Sequence, residues 1–151
     1  MAGKKRYALI GVGDRSIMYT DALGIDYRDT CELAAVCDIN QGRVASRVKW
    51  GRDNGLDIRG YLADDFEQMI REVKPDCVVV TTIDRTHDDY ICRAMELGCD
   101  VITEKPMTVD EVKAQAIIDT SSRRILAWRV TDRIDTGTSV ELLLEAGTHL
   151  S

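Results

Sequence analysis

The chain has 151 residues, with 20 Lys or Arg against 26 Asp or Glu, which gives a formal net charge of −6. This length suits one domain. The negative charge repels phosphate and so argues against nucleic acid or an anionic membrane surface as a partner. Hydrophobic residues make up 44% and charged residues 30%, a balance that is typical of a folded domain and excludes wholesale disorder.

The sequence gives no sign of a membrane span, a secretory signal or a metal site. No run reaches the ~20 consecutive apolar residues of a membrane span, and the apolar run after the basic start is too short for a secretory signal. The five cysteines form no Cys-x-x-Cys pair, and the two histidines offer no paired ligand spacing. We therefore expect reduced thiols, no metal and a cytoplasmic location, with Cys37 and Cys77 packed as small hydrophobes.

Short apolar runs alternate with helical spacing along the chain. The runs predict strands at 7–12, 33–37, 58–61 (the weakest), 77–80, 101–103 and 125–128. Apolar residues spaced three or four apart predict helices across 44–48, 66–73, 91–95 and 109–116, with capping boxes at Asp64 and Thr108. Gly98 is placed to end the third of these helices, and the glycine-rich stretch 51–55 is read as a surface loop.

Strands that alternate with helices imply right-handed crossovers and a parallel sheet. The runs are continuously apolar rather than alternating, as strands need to be when helices cover both faces of the sheet. We therefore predict one α/β domain over 1–151: a doubly wound, mainly parallel six-stranded sheet with helices on both faces.

A glycine-rich turn, Gly11-Val12-Gly13-Asp14-Arg15-Ser16, directly follows the first predicted strand and opens a helix. Gly11 allows a tight turn and Gly13 lets the backbone approach a pyrophosphate, while the N–H groups at the helix start attract the anion. Ser16 replaces the third glycine of the dinucleotide fingerprint; it is small enough for close packing and offers a hydroxyl to phosphate. Glycines also end strands for structural reasons alone, so the position between strand and helix is what favours a dinucleotide.

A carboxylate ends the second predicted strand. Asp38 lies near the spacing at which a carboxylate accepts the ribose hydroxyls of NAD, and its charge disfavours the 2′-phosphate of NADP, so NAD is the favoured cofactor. Arg43 complicates this choice, because it can reach a phosphate or stack on adenine. The alternative for Asp38 is a cap of the helix that starts near Gln41.

The strand at 77–80 leads into Thr81, Thr82 and then His87, at the start of a helix. Ligands of doubly wound sheets bind at the carboxyl ends of the strands, which places this turn beside the glycine turn. His87 is a candidate cofactor contact, the alternative being a buried structural histidine.

Glu104-Lys105-Pro106 closes the strand at 101–103. A lysine held there can donate a hydrogen bond to a substrate oxygen or take part in proton transfer, with Glu104 holding it in position. The alternative is a surface ion pair that contributes little.

Together these residues resemble the N-terminal domain of the glucose–fructose oxidoreductase / inositol dehydrogenase / rhizopine-catabolism (Gfo/Idh/MocA) family. The resemblance is clearest over 7–118 and rests on Ile10-Gly11-Val12-Gly13-x-Arg15, Val36-Cys37-Asp38, Thr82 with His87, and above all Glu104-Lys105-Pro106. It implies a Rossmann domain for NAD or NADP, with Lys105 as the catalytic residue near nicotinamide and substrate. With the patterns above, the predicted cofactor-binding residues are Gly11, Gly13, Asp14, Arg15, Ser16, Asp38, Arg43, Thr81, Thr82, His87, Glu104 and Lys105.

The chain departs from the family pattern at two turns and in its length. Family members usually carry Thr-Pro-Asn where this chain has Thr82-Ile83-Asp84, and an Asn-Tyr-Arg-Tyr-like stretch where it has Thr131-Asp132-Arg133-Ile134. They also continue into a substrate domain built on an open sheet, which commonly supplies an Asp and a His for the proton. We expect that second domain to be absent here. Residues 121–151 would form the last strand and helix of the first domain and reach the point at which a second domain would begin. His149 is not assumed to be equivalent to the family's histidine.

The resemblance implies the cofactor-binding portion of an oxidoreductase that passes hydride between nicotinamide and a sugar, cyclitol or related polyol. The alternatives are a non-catalytic dinucleotide-binding regulator and an NAD-dependent glycosidase of the same fold. The leucines at 142–144 form a candidate apolar patch that predicts a homo-oligomer, unless they complete the core as its last helix.

Overall fold

The computed structural model describes residues 3–107 and 109. Its strands are β1 (Lys5–Ile10), β2 (Cys31–Asp38), β3 (Arg59–Leu62), β4 (Cys77–Val80) and β5 (Asp100–Thr103). All neighbours pair in parallel, in the order β3-β2-β1-β4-β5. The chain runs outward from the central β1 first to one side and then to the other, so the switch in strand order falls between β1 and β4.

The helices within the described residues are α1 (Ile17–Asp21), α2 (Gln41–Asp53), α3 (Phe66–Val73) and α4 (His87–Glu96). Three-ten turns at Asp14–Ser16, Ala63–Asp65 and Asp84–Thr86 lead into α1, α3 and α4, and a π turn at Ala22–Asp26 extends α1. Asn40 caps α2 by accepting the Arg43 N–H at 3.1 Å. Gly98, at a φ of +86°, follows the end of α4 as predicted.

Each face of the sheet carries its own apolar layer. Tyr7 and Leu9 of β1 pack with residues of α1 and α2, whereas Ala8 and Ile10 pack with α3 and α4. Because helices cover both faces, β4 is buried along its whole length. The prediction of a mainly parallel sheet with helices on both faces is confirmed.

A bulge in β2 decides which face its last residues occupy. Tyr7 pairs with Leu33 but Ala8 pairs with Ala35, so Ala34 is an extra residue in β2. An extra residue inverts the inward and outward alternation beyond it. Cys37 consequently packs in the layer of α3 and α4, and alternation directs the following residue, Asp38, to the side of α1 and α2.

Five predicted strands are present, whereas the predicted strand at 125–128 lies outside the described residues. Outside them also lie the segment 131–134, the leucines at 142–144, His149 and, apart from Val109, the helix at 109–116. The loop predicted at 51–55 is wrong in part, since α2 continues to Asp53. Helix α3 begins at Phe66 without a side-chain cap, so the capping box at Asp64 is also wrong.

All five cysteines are free thiols, and Cys37, Cys77 and Cys99 are buried. Burial raises the pKa of the Cys37 thiol to about 12, with the charge of Asp38 adding to the effect. Burial likewise raises the pKa of Cys99 to about 11. Buried, protonated thiols of this kind pack as small hydrophobes, as predicted for Cys37 and Cys77. No helix among the described residues combines the length and the apolar character that a bilayer crossing requires.

Candidate functional site

The carboxyl ends of the parallel strands lie along one edge of the sheet, and the predicted site residues gather there. We call residues 11–16 and 38–47 the β1–β2 rim, and residues 81–87 and 104–106 the β4–β5 rim. The two rims flank the switch in strand order, where doubly wound sheets open a crevice for a ligand.

Gly11 joins the two rims by close backbone packing. Its φ is +91°, its N–H donates to the Cys37 carbonyl at 2.8 Å, and its carbonyl accepts the Thr81 hydroxyl at 2.7 Å. A Cβ on Gly11 would lie 2.6 Å from backbone atoms of Thr81 and Thr82. Only glycine fits both the left-handed backbone and this approach, so the structure accounts for Gly11 without any ligand.

Gly13 is different, because nothing in its surroundings requires a glycine. Its φ is −79° and its ψ is −167°, an extended conformation open to any residue. A Cβ there would meet nothing within 4 Å. The missing side chain therefore leaves open space in front of the turn, directly before the helix start at which an anion is stabilised.

The other residues of the turn divide between the interior and the solvent. Ser16 is buried, and its hydroxyl donates to the Gly13 carbonyl at 2.6 Å. Its predicted role as a small packing residue fits this position, and its role as a phosphate donor stays a prediction. Asp14 and Arg15 are exposed at the mouth of the crevice.

Asp38 lies at the predicted position, but its carboxylate is engaged by the protein itself. One oxygen accepts the Val12 N–H at 2.7 Å and the other accepts the Asn40 N–H at 2.8 Å. The side chain is only 5% exposed, and the Arg43 guanidinium lies 4.0 Å from one of its oxygens. Asp38 thus ties the glycine turn to the β2–α2 loop. The alternative that it caps α2 is wrong, since Asn40 does so.

A cleft of about 260 Å³ opens beside Gly13. Its lining consists of Val12, Gly13, Asp14, Arg43, Ser46 and Arg47. The last three lie on one face of α2, because residues three and four apart share a face. Of these three residues, the sequence analysis predicted only Arg43. Counting three and four residues onward from Arg43 along the helix would have indicated Ser46 and Arg47.

Arg47 is held in place by two uncharged side chains. It donates to the Thr20 hydroxyl at 3.0 Å, and its guanidinium lies 5.6 Å from the centre of the Trp50 ring. Partial burial lowers the pKa of Arg47, and the charge of Asp21 opposes that effect. An arginine stays protonated in proteins, so the cleft has a fixed positive wall.

In the β4–β5 rim, His87 is buried between two backbone carbonyls. Its Nδ1 lies 2.7 Å from the Pro106 oxygen and its Nε2 lies 2.9 Å from the Thr82 oxygen. Both partners are carbonyl oxygens, which accept a hydrogen bond from a ring nitrogen that carries a hydrogen. His87 thereby connects the turn after β4 with the turn after β5, the structural alternative considered for it. Its contact with a cofactor stays a prediction.

Glu104 points toward α1 rather than toward its neighbour in sequence. Its carboxylate accepts the Tyr19 hydroxyl at 2.9 Å and lies 3.5 Å from the Arg15 guanidinium. Lys105 is exposed, and no hydrogen bond or ion pair joins it to another described residue. The expectation was that Glu104 holds Lys105 in position, but within residues 3–107 no hydrogen bond or ion pair joins the two, and the carboxylate contacts Tyr19 and Arg15 instead.

A second open groove, of about 900 Å³, runs along the outer side of α1. It is lined by Asp14, Arg15, Ile17, Met18, Asp21, Ile25 and Asp26. Three carboxylates and one guanidinium make it a poor site for a phosphate, so the smaller basic cleft is the better match to a dinucleotide. Within the part of the chain that the structure describes, no three His, Cys, Asp or Glu side chains are grouped to hold a metal.

Comparison with known proteins identifies the family. The sequence pattern of the oxidoreductase family with an NAD-binding Rossmann fold, Gfo/Idh/MocA, matches residues 5–132. The chain belongs to the Gfo/Idh/MocA family. The resemblance predicted from the glycine turn, Asp38 and the Glu104-Lys105-Pro106 triplet is confirmed.

Two curated relatives show how much of the protein this chain represents. D-glucoside 3-dehydrogenase of Escherichia coli is 32% identical over 129 residues, which cover 82% of this chain and 34% of that protein. Glycosyl hydrolase family 109 protein 1 of Akkermansia muciniphila is 31% identical over 123 residues, which cover 78% of this chain and 25% of that protein. This Gfo/Idh/MocA chain therefore spans a quarter to a third of the length of these relatives.

Solved structures share the fold. The WlbA dehydrogenase from Chromobacterium violaceum, in complex with NADH and UDP-GlcNAcA, superposes with a TM-score of 0.71 at 27% identity, covering 82% of this chain and 33% of that one. The myo-inositol dehydrogenase from Lactobacillus casei has a TM-score of 0.69 at 22% identity, covering 81% and 34%, and shows the shared fold alone.

Proposed function

We propose that this chain is the cofactor-binding portion of an NAD(P)-dependent oxidoreductase that acts on CH–OH groups. The complete enzyme would transfer hydride to or from a sugar, cyclitol or related polyol. The observation that carries the proposal is the open space at Gly13, where an extended backbone with no neighbour within 4 Å of a Cβ stands before a helix start. No feature of the folded chain needs a glycine there, whereas a pyrophosphate does.

The residues around Gly13 fit a nicotinamide dinucleotide. The N–H groups of Asp14 and Arg15 begin the first helical turn and would face the pyrophosphate, with Arg15 adding a charge, whereas the Ser16 N–H donates to the Gly13 carbonyl. Asp38 would approach the adenosine ribose from the end of β2, although its backbone contacts leave it little free surface. By its position Asp38 favours NAD over NADP, and that preference remains a prediction.

The β4–β5 rim would hold the nicotinamide end. Thr81 and Thr82 form the wall next to Gly11, and Lys105 stands exposed after β5. Bound nicotinamide supplies or accepts the hydride. The Lys105 ammonium would donate a hydrogen bond to the substrate oxygen and stabilise the charge that develops there as its proton leaves or arrives.

A glycosidase is the second candidate, because two relatives at 31% and 30% identity carry the name glycosyl hydrolase family 109 protein. Such an enzyme would keep its NAD and return the hydride, so that no NADH accumulates. Release of free sugar from a glycoside without net NADH in the complete protein would favour it, whereas accumulation of NADH with a polyol would favour the dehydrogenase.

Calorimetric titration with NAD and with NADP tests cofactor binding. We expect saturable binding that Gly13→Ala weakens about tenfold or more, because the methyl group occupies the approach of the pyrophosphate. Gly3→Ala is the matched control, since its Cβ also meets nothing within 4 Å and it lies away from the rims. Equal affinities for Gly13→Ala and the unchanged chain would contradict the proposal.

The remaining parts of the proposal concern the surroundings of the site. We propose a small-molecule polyol or sugar as the substrate, a cytoplasmic location and self-association into a homo-oligomer, with 1–151 as a single cofactor-binding domain. Light scattering at high concentration tests the oligomer, and a monomer would count against it.

A further inference from the structure

We infer that Glu104 is a positioning residue that exchanges one cation for another: it pairs with Arg15 in the structure, and with Lys105 once a bound dinucleotide draws Arg15 away. The inference rests on the proposed function and deepens it, because it states how binding at the glycine turn prepares Lys105 for the substrate. It also gives the condition under which Glu104 holds Lys105 in position.

The first argument concerns the two oxygens of the Glu104 carboxylate. One oxygen accepts the Tyr19 hydroxyl at 2.9 Å, and Tyr19 is buried on α1. The other lies 3.5 Å from the Arg15 guanidinium, which is beyond the ~2.7–3.2 Å of an N–H···O hydrogen bond, and the Arg15 side chain is 48% exposed. Glu104 therefore has one fixed partner and one loosely held cation, which can leave while the carboxylate stays in place.

The second argument concerns Arg15, which can pair with either of two anions. It lies in the three-ten turn Asp14–Ser16, directly after the open space at Gly13. A pyrophosphate bound there presents several phosphate oxygens, and a guanidinium binds such oxygens through paired hydrogen bonds. An exposed pair with one carboxylate oxygen at 3.5 Å is the weaker interaction. A dinucleotide at the glycine turn therefore takes Arg15 from Glu104.

The third argument concerns the carboxylate that Arg15 leaves behind. The Glu104 side chain is 10% exposed, and a carboxylate with so little access to water is destabilised when it loses its cation. Lys105 is the next residue in the chain, and it is exposed, with no hydrogen bond or ion pair to another described residue. Because a lysine carries its ammonium on a flexible four-carbon stem, Lys105 is the cation that replaces Arg15.

The backbone on both sides of Lys105 is already held. The Glu104 N–H donates to the Val80 carbonyl at 3.0 Å, and the Pro106 carbonyl oxygen lies 2.7 Å from Nδ1 of His87. Only the Lys105 side chain has to move for the new pair to form. An ammonium has three N–H donors, so it can pair with a carboxylate and still donate to a substrate oxygen. Pairing thus limits the rotamers of Lys105 and orients its ammonium for the reaction.

The rate of lysine acylation, followed by peptide mass spectrometry, measures this exchange. An ammonium that is paired with a carboxylate reacts more slowly, because less free amine is present. The probe is ADP, which brings adenosine and a diphosphate to the glycine turn but has no nicotinamide that could shield Lys105. We expect saturating ADP to slow the acylation of Lys105 about threefold or more. Lys74, which is exposed after α3 and before β4 begins, lies at the opposite edge of the sheet and should react at an unchanged rate.

Arg15→Ala tests the exchange without any ligand. Because Glu104 has then lost its cation, Lys105 should already pair with it, and its acylation should be about threefold slower than in the unchanged chain. Arg52→Ala is the matched control, since it removes the same charge from the last turn of α2 and should leave the Lys105 rate unchanged.

Glu104→Gln assigns the effect of ADP to the carboxylate. Glutamine keeps an acceptor for the Tyr19 hydroxyl but carries no charge, so ADP should leave the Lys105 rate of this variant unchanged. Unfolding by urea confirms that each variant is folded. Arg15 is half exposed, so Arg15→Ala provides the test should Glu104→Gln fail to fold.

The outcomes separate this inference from the proposed function. ADP that binds without changing the Lys105 rate would overturn the inference and leave the proposed function standing. Equal slowing by ADP in Glu104→Gln and in the unchanged chain would also overturn it, because the phosphates would then act on the ammonium directly. An unchanged Lys105 rate in Arg15→Ala would overturn it as well. Failure of both NAD and ADP to bind in calorimetry would overturn the proposed function, and this inference with it.

Discussion

The two rims of the sheet use their polar groups in opposite ways. In the β1–β2 rim, Asp38 is occupied by backbone N–H groups, yet an open basic cleft remains beside Gly13. In the β4–β5 rim, His87 and Glu104 connect separate segments of the chain, whereas Lys105 is exposed and is joined by no hydrogen bond or ion pair to another described residue. One rim therefore leaves a basic cleft open, and the other leaves the Lys105 ammonium exposed on a turn that hydrogen bonds hold in place.

The comparison separates residues that build the site from residues that face its open space. Backbone groups at strand ends have lost their ladder partners and must be satisfied by other means. Asp38, Thr81 and His87 provide partners for them, so the presence of these side chains is explained by folding alone. Gly13 and Lys105 have no such explanation, and they are the positions at which we propose that a ligand binds.

The two glycines of the turn provide the largest expected contrast. Gly11→Ala forces a Cβ to 2.6 Å from the backbone of Thr81 and Thr82 at a φ of +91°, and we expect the free energy of unfolding to fall by about 3 kcal/mol or more. Gly13→Ala places its Cβ in open space and should change stability by less than about 0.5 kcal/mol. Urea denaturation of both variants measures the difference. Similar losses in the free energy of unfolding of the two variants would contradict the distinction between Gly11, which the fold requires, and Gly13, which lies in open space.

The fold was accessible from the sequence because burial on both faces of a parallel sheet imposes continuous apolar runs. Five strands and the helices α3 and α4 follow from that pattern. The end of α2 was not accessible, because Gly51 reads as a turn residue in the sequence but is buried inside the helix against Ile58. A Cβ on Gly51 would lie 2.6 Å from the Ile58 side chain. Local turn chemistry favoured a loop, and tertiary packing overrode it.

The sequence predicts where the site residues lie along the sheet edge, but it does not predict which side chains contact one another. Motif spacing places Gly11, Asp38 and Lys105 at the correct strand ends. The partner of Glu104 is Tyr19, 85 residues earlier in the chain, and no local pattern indicates such a pair. The bulge at Ala34, which sets the face of Asp38, leaves no sequence signal either. Contacts of this kind depend on how two distant loops meet, and only the assembled sheet determines that.

Replacing His87 tests whether its two hydrogen bonds stabilise the β4–β5 rim. Replacing it with Ala removes both contacts to the Thr82 and Pro106 carbonyls and empties a buried position. We expect a loss of about 2–3 kcal/mol in the free energy of unfolding. His87→Gln keeps one amide donor and should recover part of this loss. Equal losses in His87→Ala and His87→Gln would mean that the ring acts by its volume and not by its hydrogen bonds.

The two contacts of Glu104 give the smallest expected changes in stability, and they compare a hydroxyl partner with an exposed ion-pair partner. Tyr19→Phe removes a hydroxyl donor from a carboxylate whose side chain is 10% exposed, and should lower stability by about 1 kcal/mol. Arg15→Ala removes the ion pair with Glu104, whose N–O distance is 3.5 Å. Because the Arg15 side chain is 48% exposed, this loss should change stability by less than about 0.5 kcal/mol. Chemical denaturation in urea at low and at high salt measures both variants. A loss in Arg15→Ala that exceeds the loss in Tyr19→Phe and disappears in salt would show that electrostatic attraction across the crevice, and not the buried hydroxyl, holds Glu104 beside α1.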